Sequence, residues 1–220
     1  MRLFFIPGFG EDETIFDKIK PFIPGEKVML NNWTLLGNEP RKDLDALQYA
    51  KQLIERFQIM KEDVIIGHSL GGWVAFHIKH IIDCRIIQIA SWTDDKKVVK
   101  LVSNARFMYW LIQRGWYFNN VAKNIIARLQ YRNKPSLELF LTIFERLKRG
   151  NKENVINQLR VVFNPVNETI IAMPDLRIHS KNDNVILYPD QPFHEVPGDH
   201  FTLYTHPEAV YKPIVNFLRG

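Results

Sequence analysis

Short apolar runs alternate along this chain with amphipathic stretches. Leu3–Ile6, Lys27–Leu30, Val64–Ile66, Arg85–Ala90 and Leu176–His179 are brief and rich in β-branched or aromatic residues, which predicts strands. Between them, Asp43–Phe57 places apolar residues at 44, 47, 50, 53, 54 and 57, spacings of three and four that describe one helical face. Trp73–Ile82 reads as a second helix, and a further one is expected to start near Glu13. Strands alternating with helices predict βαβ units. The fold class is therefore α/β, a mostly parallel sheet with helices on both faces.

One connection breaks the rhythm. About 85 residues with helical periodicity separate the strand ending at Ala90 from the one starting near Leu176, too long for a simple loop. The expected organisation is a core of residues 1–92 and 172–220, with residues 93–171 forming a helical lid inserted in the same domain. No internal repeat is present. At 220 residues, 46% hydrophobic and 24% charged, the chain can bury one sizeable core.

Charge changes the picture locally. The net charge is +5, yet Lys96–Arg160 holds 14 Lys and Arg against 3 Asp and Glu, so the excess of positive charge lies in the expected lid. A single cysteine, Cys84, excludes an internal disulfide and reads as a small buried hydrophobe; it suits a reducing compartment, and the cytoplasm is the expected location. The apolar run at the start is too short for a signal peptide and reads as a strand. Lys or Arg interrupts every candidate for a membrane span. No cluster has metal-ligand spacing, and no nucleic-acid motif accompanies the basic segment.

Gly67-His68-Ser69-Leu70-Gly71-Gly72 sits between a strand and a helix, the context in which G-x-S-x-G has chemical meaning. A serine on so sharp a turn has strained backbone, and its flanking positions have no room for side chains. The turn exposes the hydroxyl and aims the first amides of the next helix at whatever it attacks. Two later segments complete the pattern. Ile178-His179-Ser180-Lys181-Asn182-Asp183 ends a strand with an acid, and Gly198-Asp199-His200-Phe201 precedes His206-Pro207-Glu208.

In that order the motifs resemble those of the α/β-hydrolase superfamily over nearly the whole chain. The resemblance implies Ser69 as nucleophile, His200 as base and Asp183 as the acid that orients it, with no metal or organic cofactor. Phe5-Ile6-Pro7-Gly8-Phe9-Gly10 is similar to the family's oxyanion loop, so the N–H groups of Phe9 and Leu70 are the expected oxyanion donors, each contributing about 3–4 kcal/mol in related chemistry. Pro7 stands where the family often has histidine. The family's preceding antiparallel strands are expected to be missing, leaving six or so strands, and the helix usual between acid and histidine is expected to be reduced or absent. Asp94 and Asp95, after the strand ending at Ala90, are the rival candidates for the acid, or caps of the next helix. Asp199 is expected to be a solvated loop residue, and the remaining histidines to pack or face solvent.

The aromatic residues of the lid admit two readings, its own core or an acyl channel over Ser69. On the second, Phe9, Trp92, Phe107, Trp110, Phe140 and Phe144 line the substrate site, and outward Lys and Arg dock an acidic partner. That pairing resembles the short carboxylesterases of biotin synthesis, which cleave a pimeloyl methyl ester while its chain rides on acyl carrier protein. The resemblance implies an ester substrate on an acidic carrier. A small-molecule ester or acyl thioester with no protein partner, and a non-catalytic binding module of the same fold, are the alternatives; an N-terminal peptidase lacks a specified amine pocket.

Overall fold

The computed structural model describes residues 1–99 and 104–220, so Lys100 of the basic segment lies outside the described residues. Six strands form one parallel sheet: β1 (Arg2–Ile6), β2 (Glu26–Met29), β3 (Val64–His68), β4 (Arg85–Ile89), β5 (Leu176–His179) and β6 (His194–Glu195), in the spatial order β2-β1-β3-β4-β5-β6. Chain order reverses direction around β1 and β3, and the site is built beyond the carboxyl ends of these strands.

Side chains alternate across the sheet as a strand requires. Leu3 and Phe5 of β1 join Ile66, Ile87 and Ile178 in one buried cluster, while Phe4 and Ile6 join Ile65 and Ile86 in the other. Helices cover both faces: α1 (Asn32–Leu35), α2 (Ala46–Phe57), α3 (Leu70–Ile82), α4 (Ala105–Gln113), α5 (Asn120–Gln130), α6 (Leu137–Arg149), α7 (Lys152–Phe163), α8 (Thr202–Thr205) and α9 (Pro207–Arg219). The helix predicted from Asp43 begins at Ala46, because the Asp45 carboxylate accepts from the Gln48 N–H at 2.8 Å and caps it. Near Glu13 there is only a four-residue 3₁₀ turn, Glu13–Phe16, and a second short turn holds Pro21 ahead of Pro24 and Gly25.

The segment between β4 and β5 contributes α4 to α7. These helices share the core of the sheet instead of closing one of their own. Met108, Phe144, Val155 and Leu159 belong to the same buried cluster as Phe5 and Ile178. Between Asp183 and His200 the chain forms no helix, only the two-residue β6.

Candidate active site

The turn after β3 holds Ser69 at φ 51° and ψ −119°, a conformation that a non-glycine residue adopts only under constraint. Its N–H donates to the Ile89 carbonyl at 3.0 Å, and its carbonyl accepts from Ser91 Oγ at 2.7 Å and begins α3 through Gly72 and Trp73. The glycines are steric necessities. A Cβ on Gly71 would lie 1.9 Å from the Ile6 carbonyl oxygen, and one on Gly67 would lie 2.3 Å from the Gly71 backbone.

Three chain segments converge on Ser69. His200 Nε2 lies 3.0 Å from Ser69 Oγ, and His200 Nδ1 lies 2.8 Å from Asp183 Oδ2. The other carboxylate oxygen of Asp183 accepts the Val185 and Ile186 N–H groups at 2.8 and 2.9 Å, which fixes its plane. Ser180 Oγ donates to the Gly198 carbonyl at 2.6 Å and ties the acid's turn to the histidine's loop. Burial alone would push Asp183 upward; the adjacent His200, through charge and hydrogen bond, outweighs it and holds the carboxyl below its ordinary value. For His200, burial disfavours the charged ring, but the Asp183 carboxylate, helped by Glu11 and Asp199, raises it above the ordinary histidine value.

The loop after β1 runs beside this chain of groups. Neither the Phe9 nor the Leu70 N–H has a hydrogen-bond partner among the described residues, and both residues line the cavity above Ser69. Buried polar side chains set the loop's shape: Asn32 Nδ2 donates to the Pro7 carbonyl at 2.9 Å, and Gln158 Oε1 accepts the Gly10 N–H at 2.9 Å. Glu11, 2% exposed, accepts the Gly8 N–H at 2.6 Å and lies 2.9 Å from Nδ1 of His68, whose Nε2 donates to the His200 carbonyl at 2.9 Å. Sequence reasoning missed Glu11, Asn32 and Gln158. A carboxylate three residues after Gly8, beside an elbow with a histidine at its variable position, was the available signal for the first. Asn32 and Gln158 gave none, because the loop atoms they hold, the Pro7 carbonyl and the Gly10 N–H, are backbone groups distant in the chain.

Above Ser69 opens a cavity of about 400 Å³ whose walls are almost entirely apolar. Phe9, Trp92, Phe140 and Phe144 line it, as do Met108, Ile126, Ile143 and Leu159, and no Lys or Arg does so among the described residues. Phe107 and Trp110 do not reach it. They are 51% and 44% exposed and stack on each other on the outer side of α4, because the helix turns Met108, Leu111 and Ile112 inward instead.

The rival acids lie elsewhere. Asp94 is exposed and caps the 3₁₀ turn Asp95–Lys97, accepting the Lys96 N–H at 2.9 Å, while the carboxylate on His200 is that of Asp183. Asp199 departs from expectation: it is buried, accepts the Phe201 N–H at 3.0 Å and binds Ser136 Oγ, because the loop presses against the start of α6. Cys84 is fully buried, and burial pushes its thiol up to about 12.

Parallel sheet, strained serine turn and the order in which the three side chains arrive define a fold class: the chain has the α/β-hydrolase fold. Solved structures agree over the full length. A hydrolase from Oleispira antarctica superposes with a TM-score of 0.75 at 15% identity, covering 100% of this chain and 91% of that one. An esterase from Exiguobacterium antarcticum gives 0.72 at 11% identity, covering 100% and 92%. An enol-lactonase from Burkholderia xenovorans LB400 gives 0.71 at 12% identity, covering 100% and 91%. No protein-family model and no curated protein sequence matches the chain.

Proposed function

We propose that this protein is a serine hydrolase that cleaves carboxylic esters of uncharged, apolar acyl groups. The observation that carries the reading is the unbroken chain Asp183–His200–Ser69 at the floor of an apolar cavity that no Lys or Arg lines among the described residues. His200 Nε2 takes the Ser69 hydroxyl proton as Oγ attacks the ester carbonyl, and Asp183 holds the ring tautomer and stabilises its charged form. The carbonyl oxygen becomes an oxyanion, for which the N–H groups of Phe9 and Leu70, unpaired among the described residues, are the available donors. Collapse passes the proton from His200 to the departing alkoxide and leaves an acyl group on Ser69. Water, deprotonated by the same ring, then releases the acid. The walls accept an alkyl or aryl chain and would leave a free carboxylate unpaired in an apolar site, which selects against charged acyl groups. The insertion between β4 and β5 supplies much of the wall and serves as the lid.

A fluorophosphonate probe read by intact mass, with p-nitrophenyl esters of graded chain length, tests this. Wild type labels once and turns over, and Ser69→Ala does neither. A wild type that stays unlabelled and inert on every ester, or a Ser69→Ala variant that retains turnover, overturns the proposal.

A further inference from the structure

We propose that the outer face of α4 and α5 docks on an anionic lipid surface, placing the mouth of the apolar cavity against the bilayer. On the α4 side Phe107 stacks on Trp110, and Trp110 meets Trp116 edge-on at 5.4 Å. On α5, Val121, Ile125 and Leu129 recur every fourth residue and are 69%, 52% and 78% exposed, so they form one apolar stripe open to solvent. The opposite side of α5 is already used, since Ala122 and Ile126 line the cavity. Trp116 joins the two: it lines the cavity and is itself 59% exposed. An exposed apolar surface this extensive marks an interaction site.

Charge decides the occupant. From Asn104 to Leu137 the chain contains no Asp or Glu. Arg106, Arg114, Arg128 and Arg132 are exposed on these two helices and their flanks, and among the described residues none of the four is in an ion pair. The Arg114 guanidinium instead lies 5.5 Å above the Trp110 ring. A second copy of this chain would bring arginine against arginine with no acid to offset them. Interleaved aromatic, aliphatic and arginine side chains match the headgroup boundary of an anionic leaflet, where guanidinium groups meet phosphates and the apolar side chains enter the acyl region. No described helix is long and apolar enough to cross a membrane, so the docking is peripheral. An apolar ester could then pass from the bilayer past Trp116 to Ser69. Docking stands apart from the proposed chemistry and is measured on protein that lacks the nucleophile.

Full-length Ser69→Ala protein is co-sedimented with vesicles of phosphatidylcholine alone, or of phosphatidylcholine and phosphatidylglycerol in about a 2:1 ratio. The expected result is partitioning at least about tenfold stronger on the anionic vesicles, falling steeply between about 0.05 and 0.5 M salt. Replacing Arg106, Arg114, Arg128 and Arg132 by Gln weakens it by about a hundredfold. Ile125→Ser with Leu129→Ser weakens it by about tenfold or more on both lipid mixtures. None of these six residues lines the cavity, so the same changes in protein with Ser69 leave its melting temperature and its turnover of a soluble short ester near wild type. Absence of binding to anionic vesicles overturns the proposal, as does binding that neither variant weakens. An acidic acyl carrier protein held by the same arginines and not displaced by vesicles would also overturn it, assigning the face to a protein partner.

Discussion

Glu11 and His68 form a buried pair, 2.9 Å between Oε2 and Nδ1, that touches both the loop after β1 and the backbone of His200. Nε2 of the ring must donate, because its partner is a carbonyl, and Nδ1 faces the Glu11 carboxyl. One carboxylate thus fixes two parts of the site that come from opposite ends of the chain.

Removing that carboxylate should therefore cost both stability and activity. Glu11→Ala leaves the Gly8 N–H and Nδ1 of His68 without a partner in a dry site, a loss of about 1–3 kcal/mol for each unsatisfied group. Glu11→Gln keeps an acceptor for Gly8 and recovers most of the melting temperature. Thermal unfolding and kcat/KM on a short ester measure both; an alanine variant equal to wild type in each would show the pair to be inert.

Under the proposed mechanism the pH profile of kcat/KM reports His200. The ring must be neutral to accept the Ser69 proton, and its pKa is raised, so activity climbs with pH through a midpoint above the ordinary histidine value. Asp183→Asn takes away the charge that does most to raise it. The midpoint then moves to lower pH, and kcat falls by about 10⁴-fold. A variant whose acid limb stays in place would assign that limb to another group.

Chain-length preference should follow cavity volume. Ile143→Trp places a larger side chain on the wall, at an overpacking cost of about 1–3 kcal/mol. Esters of long acyl chains are expected to lose about tenfold or more in kcat/KM, with acetyl esters nearly unaffected. Equal losses for all chain lengths would place the long chain outside this cavity.

His77 makes stability depend on pH away from the site. Its ring is buried, Nδ1 donates to the Trp73 carbonyl at 2.8 Å, Nε2 has no partner among the described residues, and burial pushes its pKa down to about 4. The unfolded ring binds a proton near its ordinary value while the folded ring does not. Stability from this group is complete above about pH 6.5 and is lost as pH falls toward 4, amounting to about 2 kcal/mol at pH 5. His77→Leu removes that dependence, so the drop in stability from about pH 7.5 to pH 5 shrinks by that amount in denaturant titrations.

By itself the sequence determined whatever is local. Alternating apolar runs specify β1 to β5 and helical faces mark α2 and α3, whereas the two-residue β6 is too short to carry a pattern and the helix expected near Glu13 is only a 3₁₀ turn; the Gly67–Gly72 turn announces Ser69, because strand, strained turn and helix are neighbours in the chain. Asp183 and His200 were legible as motifs, yet only folding decided between Asp183 and Asp94, since β5 and the loop after β6 carry Asp183 to the imidazole while Asp94 spends its carboxylate on its own turn. Tertiary packing also chose which faces of the inserted helices point inward. Periodicity sets the spacing of Phe107 and Trp110 but not the direction they face; Met108 and Leu111 took the cavity side and Ile112 the buried core, which left those rings to solvent. Glu11 gained its meaning from His68, Asn32 from the Pro7 carbonyl and Gln158 from the Gly10 N–H, all tens of residues away or more, because a buried polar group is satisfied by whatever the fold brings beside it.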